Sequence, residues 1–156
     1  TSSSMGRLFD AVSAYLGVCD YNGYEGQAPM ELEYVAYRAR VEKREVPELH
    51  IPVRQSVGIA SELFHQMDEA IENGFSVEQV ALGFHYAVAE YILEMARLHG
   101  AKQVAISGGT FCNRILLEKT VELLTAENIK VYHNEQVPTT DAGLCLGQAW
   151  LASRFE

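Results

Sequence analysis

The chain has 156 residues, with 21 acidic and 12 basic side chains, a formal net charge of −9, 48% hydrophobic and 21% charged content. Disordered chains are poorer in apolar residues, and collagen-like or low-complexity chains are far richer in glycine and proline than the 12 and 4 found here. No apolar run approaches the roughly 20 residues of a bilayer-spanning helix, and the acidic balance argues against a nucleic-acid partner gripped through its phosphates, which needs clustered Lys and Arg.

The length predicts a single domain over 1–156 with an ordinary core. Cys19, Cys112 and Cys145 are an odd set with no CxxC pair, which argues against a secreted disulfide framework and a structural zinc site. Thr1-Ser2-Ser3-Ser4-Met5 has neither the basic start nor the apolar stretch of a signal peptide. The chain therefore reads as cytoplasmic. Without Met at its first position, it also reads as a piece of something longer.

Leu8, Phe9, Val12, Tyr15 and Leu16 recur at helical spacing, and Gly17 stops the run. A loop from Val18 to Ala28 follows. Pro29 then suits the first turn of a second helix, Met30 to about Lys43. Leu49 to Val53 reads as a short edge strand, because Pro52 forbids a central place in a sheet. A third helix is expected from about Ser56 to Glu72, ending at Asn73-Gly74. Ser76-Val77-Glu78-Gln79 has the form of a capping box and opens a fourth helix that Gly100 ends, completing a helical hairpin.

The last third alternates. Gln103 to Ser107 reads as a strand ending at Gly108-Gly109, followed by a helix from about Asn113 to Ala126. Ile129 to Tyr132 reads as a second strand, and a final helix runs from about Thr140 to Ser153. This order implies two parallel strands joined by a crossover helix. Two strands make a poor sheet. An exposed apolar face is thus expected where further strands would pack, and with it self-association of the chain.

Several groups can carry chemistry. Ser107-Gly108-Gly109-Thr110 lies between the carboxyl end of a strand and a helix, where open α/β sheets bind ligands. There the backbone can approach a phosphate, helped by the helix N-terminus; the same glycines also suit a plain tight turn. Asn113 can read an adenine edge or a ribose hydroxyl, or simply start the helix. Asp141 opens the last helix, where the dipole keeps a carboxylate ionised, as a metal ligand must be; it also suits an ordinary helix start. Gly143 and Gly147 are expected to let that helix pack closely on the sheet. Asp10, Glu31 and Glu33 lie on the two early helices, as ribose acceptors or as surface acids. His50, His65, His85, His99 and His133 form no HxxxH or HExxH pair, and His85, beside Ala81, Val88 and Ile92, reads as a buried, hydrogen-bonded core residue. Cys112 has no evident base and reads as a turn residue.

Four stretches in order go further: Gly6-Arg7-Leu8-Phe9-Asp10-Ala11-Val12, Tyr24 to Glu33, Ser107-Gly108-Gly109-Thr110-Phe111-Cys112-Asn113-Arg114, and Asp141 to Ala149. Together they resemble the C-terminal part of the hydrogenase-maturation carbamoyltransferase of the HypF type, in its domain similar to the universal tRNA threonylcarbamoyltransferase. The usual SGGV-F-Q-N-R of that family reads SGGT-F-C-N-R here, and its D-G-G reads Asp141-Ala142-Gly143.

The resemblance implies a helix-rich α/β fold: a partial lobe of the actin/Hsp70-like (RNase H-like) ATPase fold with a short parallel sheet. It implies that Gly108 and Gly109 approach the phosphates of ATP or carbamoyl-adenylate and that Asn113 faces the nucleoside. Asp10 and Glu31 would hold the ribose, Glu33 being the less favoured register, and Asp141 would supply one ligand of an iron or zinc ion. The implied activity is passage of a carbamoyl group to the C-terminal cysteine of a HypE-type maturation partner. The family's other regions, including the paired histidines of its metal site, have no counterpart here, so this chain alone is expected to lack full activity. Two other readings are weighed: a tRNA-modifying relative, which the charge disfavours, and a non-catalytic docking module of the same shape.

Overall fold

The computed structural model describes residues 4–154 apart from 56. Ser56, the expected start of the third helix, therefore lies outside the described residues, as do Thr1, Ser2 and Ser3. At the centre is the longest helix, α4 (Val77–Leu98). Its capping box forms as expected: the Ser76 hydroxyl accepts from the Gln79 N–H, and the Gln79 amide oxygen accepts from the Ser76 N–H at 3.0 Å. Its apolar stripe is broader than an amphipathic helix needs, with Val80 to His85 all buried. The reason is that α2 (Gln27–Val41) and α5 (Arg114–Ala126) both pack against it. Phe9 of α1 (Met5–Tyr15) meets Phe84 edge-on at 4.7 Å between ring centres.

Helix α1 is followed by Gly17, at φ +66°. Helix α2 begins at Gln27, three residues earlier than the periodicity suggests, and Pro29 sits in its first turn, where a missing N–H costs no helical hydrogen bond. Helix α3 (Ala60–Glu72) begins later than expected. Before it comes a small antiparallel hairpin, β1 (Val53–Arg54) with β2 (Val57–Gly58). Beyond Asn73-Gly74, α4 turns back as predicted, but its main neighbours are α2 and α5 rather than α3.

The strand expected over Leu49–Val53 is absent except at Val53. Leu49 and Ile51 are buried and His50 is exposed, so the alternation is real. The partner, however, is a side chain. Gln66 accepts from the His50 N–H at 2.7 Å and donates to its carbonyl at 2.9 Å, doing the work of a neighbouring strand. This strap crosses α4 at Gly83, where a Cβ would stand 2.9 Å from the Pro47 carbonyl oxygen.

Strands β3 (Gln103–Ile106) and β4 (Lys130–His133) pair in parallel, from Gln103 opposite Lys130 to Ile106 opposite His133, with α5 as the crossover. Leu93, Ala96, Ile106, Leu124 and Ile129 fill the space beneath them. Helix α6 (Leu144–Ala152) corrects one expectation, for it does not pack on the sheet and has no buried residue. A Cβ on Gly143 would collide with the Pro138 carbonyl, so that glycine serves a local turn, and Gly147 meets nothing within 4 Å.

Candidate functional site

The chain leaves β3 through Ser107 into the two glycines. Gly108 adopts φ +104°, a conformation that favours glycine. Its N–H donates to the Thr139 carbonyl at 3.1 Å, and its carbonyl accepts from the Phe111 N–H at 3.0 Å. One 3-10 turn, Gly109–Cys112, follows. Above it opens a cavity of about 670 Å³, a size typical of small-molecule sites. Gly109 and Thr110 form part of its wall. Gly6, Arg7, Phe9 and Asp10 of α1 form another, and Glu25, Gly26, Pro29, Met30 and Glu33 around the head of α2 a third. Thr140, Asp141 and Ala142 close it. The diglycine turn and Asp141 thus meet at one cavity, at the carboxyl end of the parallel pair. Of the two glycines, Gly109 reaches the wall, and Gly108 makes the bend behind it.

Counting backbone donors locates the place for an anion. The α5 N-terminus is already satisfied. The Asn113 side chain accepts from the Leu116 N–H at 2.9 Å, and Glu33 accepts from the N–H groups of Arg114 at 2.6 Å and Ile115 at 3.4 Å. These are the orphan donors that every helix start must place. By contrast, the N–H groups of Gly109 and Thr110 have no partner among the described residues. The expected help from the helix end is therefore taken up by the protein's own carboxylate, and the free donors lie in the turn.

The carboxylates divide sharply. Asp10 lines the cavity. Its Oδ2 is buried without a hydrogen bond; Arg7 approaches it at 3.0 Å as an ion pair, off the donor direction. Glu31 is not brought to the cavity. It accepts from Gln27 at 2.6 Å and sits beside Cys19, whose thiol burial and this neighbouring carboxylate hold above its ordinary range. Glu33, the less favoured register, is the one in the wall. Helical geometry explains this: Pro29, Met30 and Glu33 share a face, from which Glu31 is rotated away.

Asn113 also lines the cavity, and both ends of its amide are already bonded within the protein. Its oxygen caps α5, and its nitrogen lies 2.8 Å from Nε2 of His85, which is completely buried. Burial pushes His85 down to about 4, so it is neutral at ordinary pH. Asp141 stands exposed at the start of its turn. Among the described residues no group of three or more His, Cys, Asp or Glu can hold a metal ion. The residues present therefore do not amount to an iron or zinc site, and no chemical step is assigned to one. Cys112 lies near Thr139, Sγ to Oγ1 3.4 Å, with no histidine beside it among the described contacts. Thr110 belongs to the diglycine motif already expected to bind, whereas Arg7 has no role in the sequence reading. Arg7 lies one turn before Asp10 on the same helix, and that spacing was a usable signal.

A helix-rich α/β lobe with its cavity at the strand ends is the class defined so far. Residues 1–148 match the family described as carbamoyltransferase, Kae1-like domain, second subdomain. The carbamoyltransferase HypF homolog of Cupriavidus necator is 36% identical over 163 residues, covering 98% of this chain and 41% of that protein. The carbamoyltransferase HypF of Rhodobacter capsulatus is 36% identical over 157 residues, or 97% of this chain and 20% of that one. The solved HypF of T. kodakarensis shares the fold with a TM-score of 0.82 and 32% identity, over 97% of this chain and 20% of that one. A full-length HypF in the phosphate- and nucleotide-bound form gives 0.82 and 34%, over 97% and 24%. The chain belongs to the HypF-type carbamoyltransferase family, and it spans between about a fifth and two fifths of the length of these relatives. No helix among the described residues is long and apolar enough to cross a membrane.

Proposed function

We propose that this chain is the nucleotide-binding lobe of a carbamoyltransferase that takes carbamoyl-adenylate, made from ATP, as the activated donor. One observation carries the reading. The Asp10 carboxylate, whose Oδ2 is buried and ion-paired with Arg7 at 3.0 Å but has no hydrogen bond among the described residues, shares a cavity with the backbone N–H groups of Gly109 and Thr110, which have no partner among the described residues. An ionised carboxylate can only accept, which suits ribose hydroxyls. Phosphate oxygens also only accept, so they belong at the N–H groups and near Arg7. Glu33 faces the same space but already caps α5, so its free oxygen is the second acceptor. Asn113 holds the wall in shape, with one amide N–H not used by the clamp. The phosphate- and nucleotide-bound relative supports a nucleotide as occupant.

In the transfer step, the C-terminal cysteine thiolate of a HypE-type maturation protein attacks the carbamoyl carbon. The bond from that carbon to the phosphate oxygen breaks and AMP departs; the thiol proton goes to solvent. The lobe contributes by holding the adenylate as leaving group, with its charge against the turn N–H donors. The other regions of the enzyme would supply the rest.

Calorimetry of this chain with ATP and AMP tests the reading. Binding is expected, with Asp10→Asn weakening it by about tenfold or more, the worth of a charge-assisted hydrogen bond. Glu31→Gln should leave it unchanged. Absence of heat at millimolar nucleotide would overturn the reading and leave the lobe as a docking surface.

A further inference from the structure

We propose that His85 is a positioning residue for this cavity: its Nε2 fixes the rotamer of Asn113, and through it the start of α5 behind the diglycine turn. The inference rests on the cavity's being the nucleotide site. His85 lies on α4 and is completely buried. Its Nδ1 is 2.7 Å from the Ala81 carbonyl oxygen. A carbonyl only accepts, so Nδ1 carries the proton and Nε2 is bare. The partner of Nε2, 2.8 Å away, must then be the donating nitrogen of the Asn113 amide. That assignment leaves the Asn113 oxygen facing the Leu116 N–H at 2.9 Å, as a helix cap requires. Turning the amide over would oppose donor to donor at Leu116 and acceptor to acceptor at His85. The network therefore has a single consistent orientation.

A cap alone does not need this. An asparagine cap at a surface helix start ordinarily leaves its amide nitrogen in water. Here Asn113 is 7% exposed and clamped from behind. The imidazole also stacks edge-on against Phe9, with centroids 5.3 Å apart, and Phe9 lines the cavity next to Asp10. One buried ring thus touches the α1 wall and the α5 wall together. A buried imidazole costs more than a leucine unless both nitrogens are used. Both are used here, one of them at the edge of the site. The low basicity that burial imposes keeps Nε2 available as an acceptor.

The test compares His85→Leu, which removes the acceptor, with His85→Gln, whose amide oxygen reaches the Nε2 position. AMP affinity is read by calorimetry and Leu116 N–H protection by hydrogen exchange. His85→Leu should lose about tenfold in affinity and speed Leu116 exchange by a similar factor, the worth of one buried hydrogen bond. His85→Gln should restore most of both. Leu63→Ala, in a buried position of α3 away from the cavity, should lower stability and leave affinity unchanged. Wild-type affinity and protection in a folded His85→Leu would overturn the inference. If His85→Leu does not fold, His85→Gln is compared with His85→Asn, which reaches only the Nδ1 position; equal affinity and equal Leu116 exchange would overturn it. If the unaltered chain binds no AMP, the cavity reading falls, and Leu116 exchange alone decides the role of His85.

Discussion

Helix α4 buries eleven of its twenty-two residues, whereas α6 buries none of its nine and leaves Leu144, Leu146, Trp150 and Leu151 all more than half exposed. Both are apolar in sequence. The difference lies in what the chain offers each of them. Helix α4 is enclosed by α2, α3 and α5 and meets the Phe9 ring of α1, while α6 contacts chiefly the turn that precedes it. Apolarity states that a surface is best covered and says nothing of the source of the cover. The cavity lies between the two regimes. Three of its walls grow out of the α4 core. The fourth, Thr140 to Ala142, belongs to the lightly held end and is tied to the diglycine turn through the bond from Gly108 N–H to Thr139.

The contrast is broken most severely at Phe84. This ring is fully buried and packs against both Phe9 and His85. Phe84→Ala should cost about 3–5 kcal/mol, from lost transfer energy and the void left behind. Urea unfolding followed by circular dichroism checks it; a loss below about 1 kcal/mol would mean that the α4 core relaxes freely.

Acid should open the same core at His85. Its folded basicity is depressed to about 4 from 6.5. Between those values the unfolded chain binds a proton that the folded chain does not. Stability is therefore fully present above pH 6.5 and falls as the pH drops toward 4, by about 3 kcal/mol from this group. Denaturant midpoints measured across that range should show the slope, and His85→Leu should flatten it.

Much of this was legible in the residues. The α4 cap, the β3–α5–β4 order and the closing glycines after α1 and α4 are local signals with local causes. The diglycine turn and Asp141 do meet, but not through the close packing of the last helix expected from Gly143 and Gly147; the bond from the Gly108 N–H to the Thr139 carbonyl joins the two segments instead. Two readings needed the fold. Leu49 and Ile51 alternate like a strand, but only the folded chain shows Gln66 standing in for the partner. The choice between Glu31 and Glu33 depended on which face of α2 turns toward the cavity, and that is set by its packing in the folded chain. Asn113 offered helix start or nucleoside contact. Its commitment on both sides is visible only once His85, 28 positions earlier, stands next to it.

A smaller effect is expected at the mouth of α4. Ser76→Ala removes the hydroxyl that accepts from Gln79 and should cost about 1 kcal/mol. The Gln79 side chain still bonds the Ser76 N–H and the Glu45 carbonyl, so the helix start should hold its place. An unchanged unfolding midpoint would show that this second half of the box suffices alone.

At the other end of the scale, Trp150→Ser with Leu151→Ser should change stability by less than about 0.5 kcal/mol, because neither side chain is buried. Its effect should fall on association instead. An exposed cluster of leucines and a tryptophan gains by pairing with a second apolar surface, while a net charge of −9 opposes the approach of two copies. Salt screens that repulsion, over about 10 Å at 0.1 M and about 3 Å at 1 M. The weight-average mass of the unaltered chain should accordingly rise with concentration, and rise further with added salt. The double variant should stay monomeric under both conditions with its unfolding midpoint unmoved. Sedimentation equilibrium distinguishes the cases. A strict monomer in the unaltered chain at high concentration and high salt would show that α6 tolerates exposure. The contrast with α4 would then reflect chain length near the helix and not an uncovered contact surface.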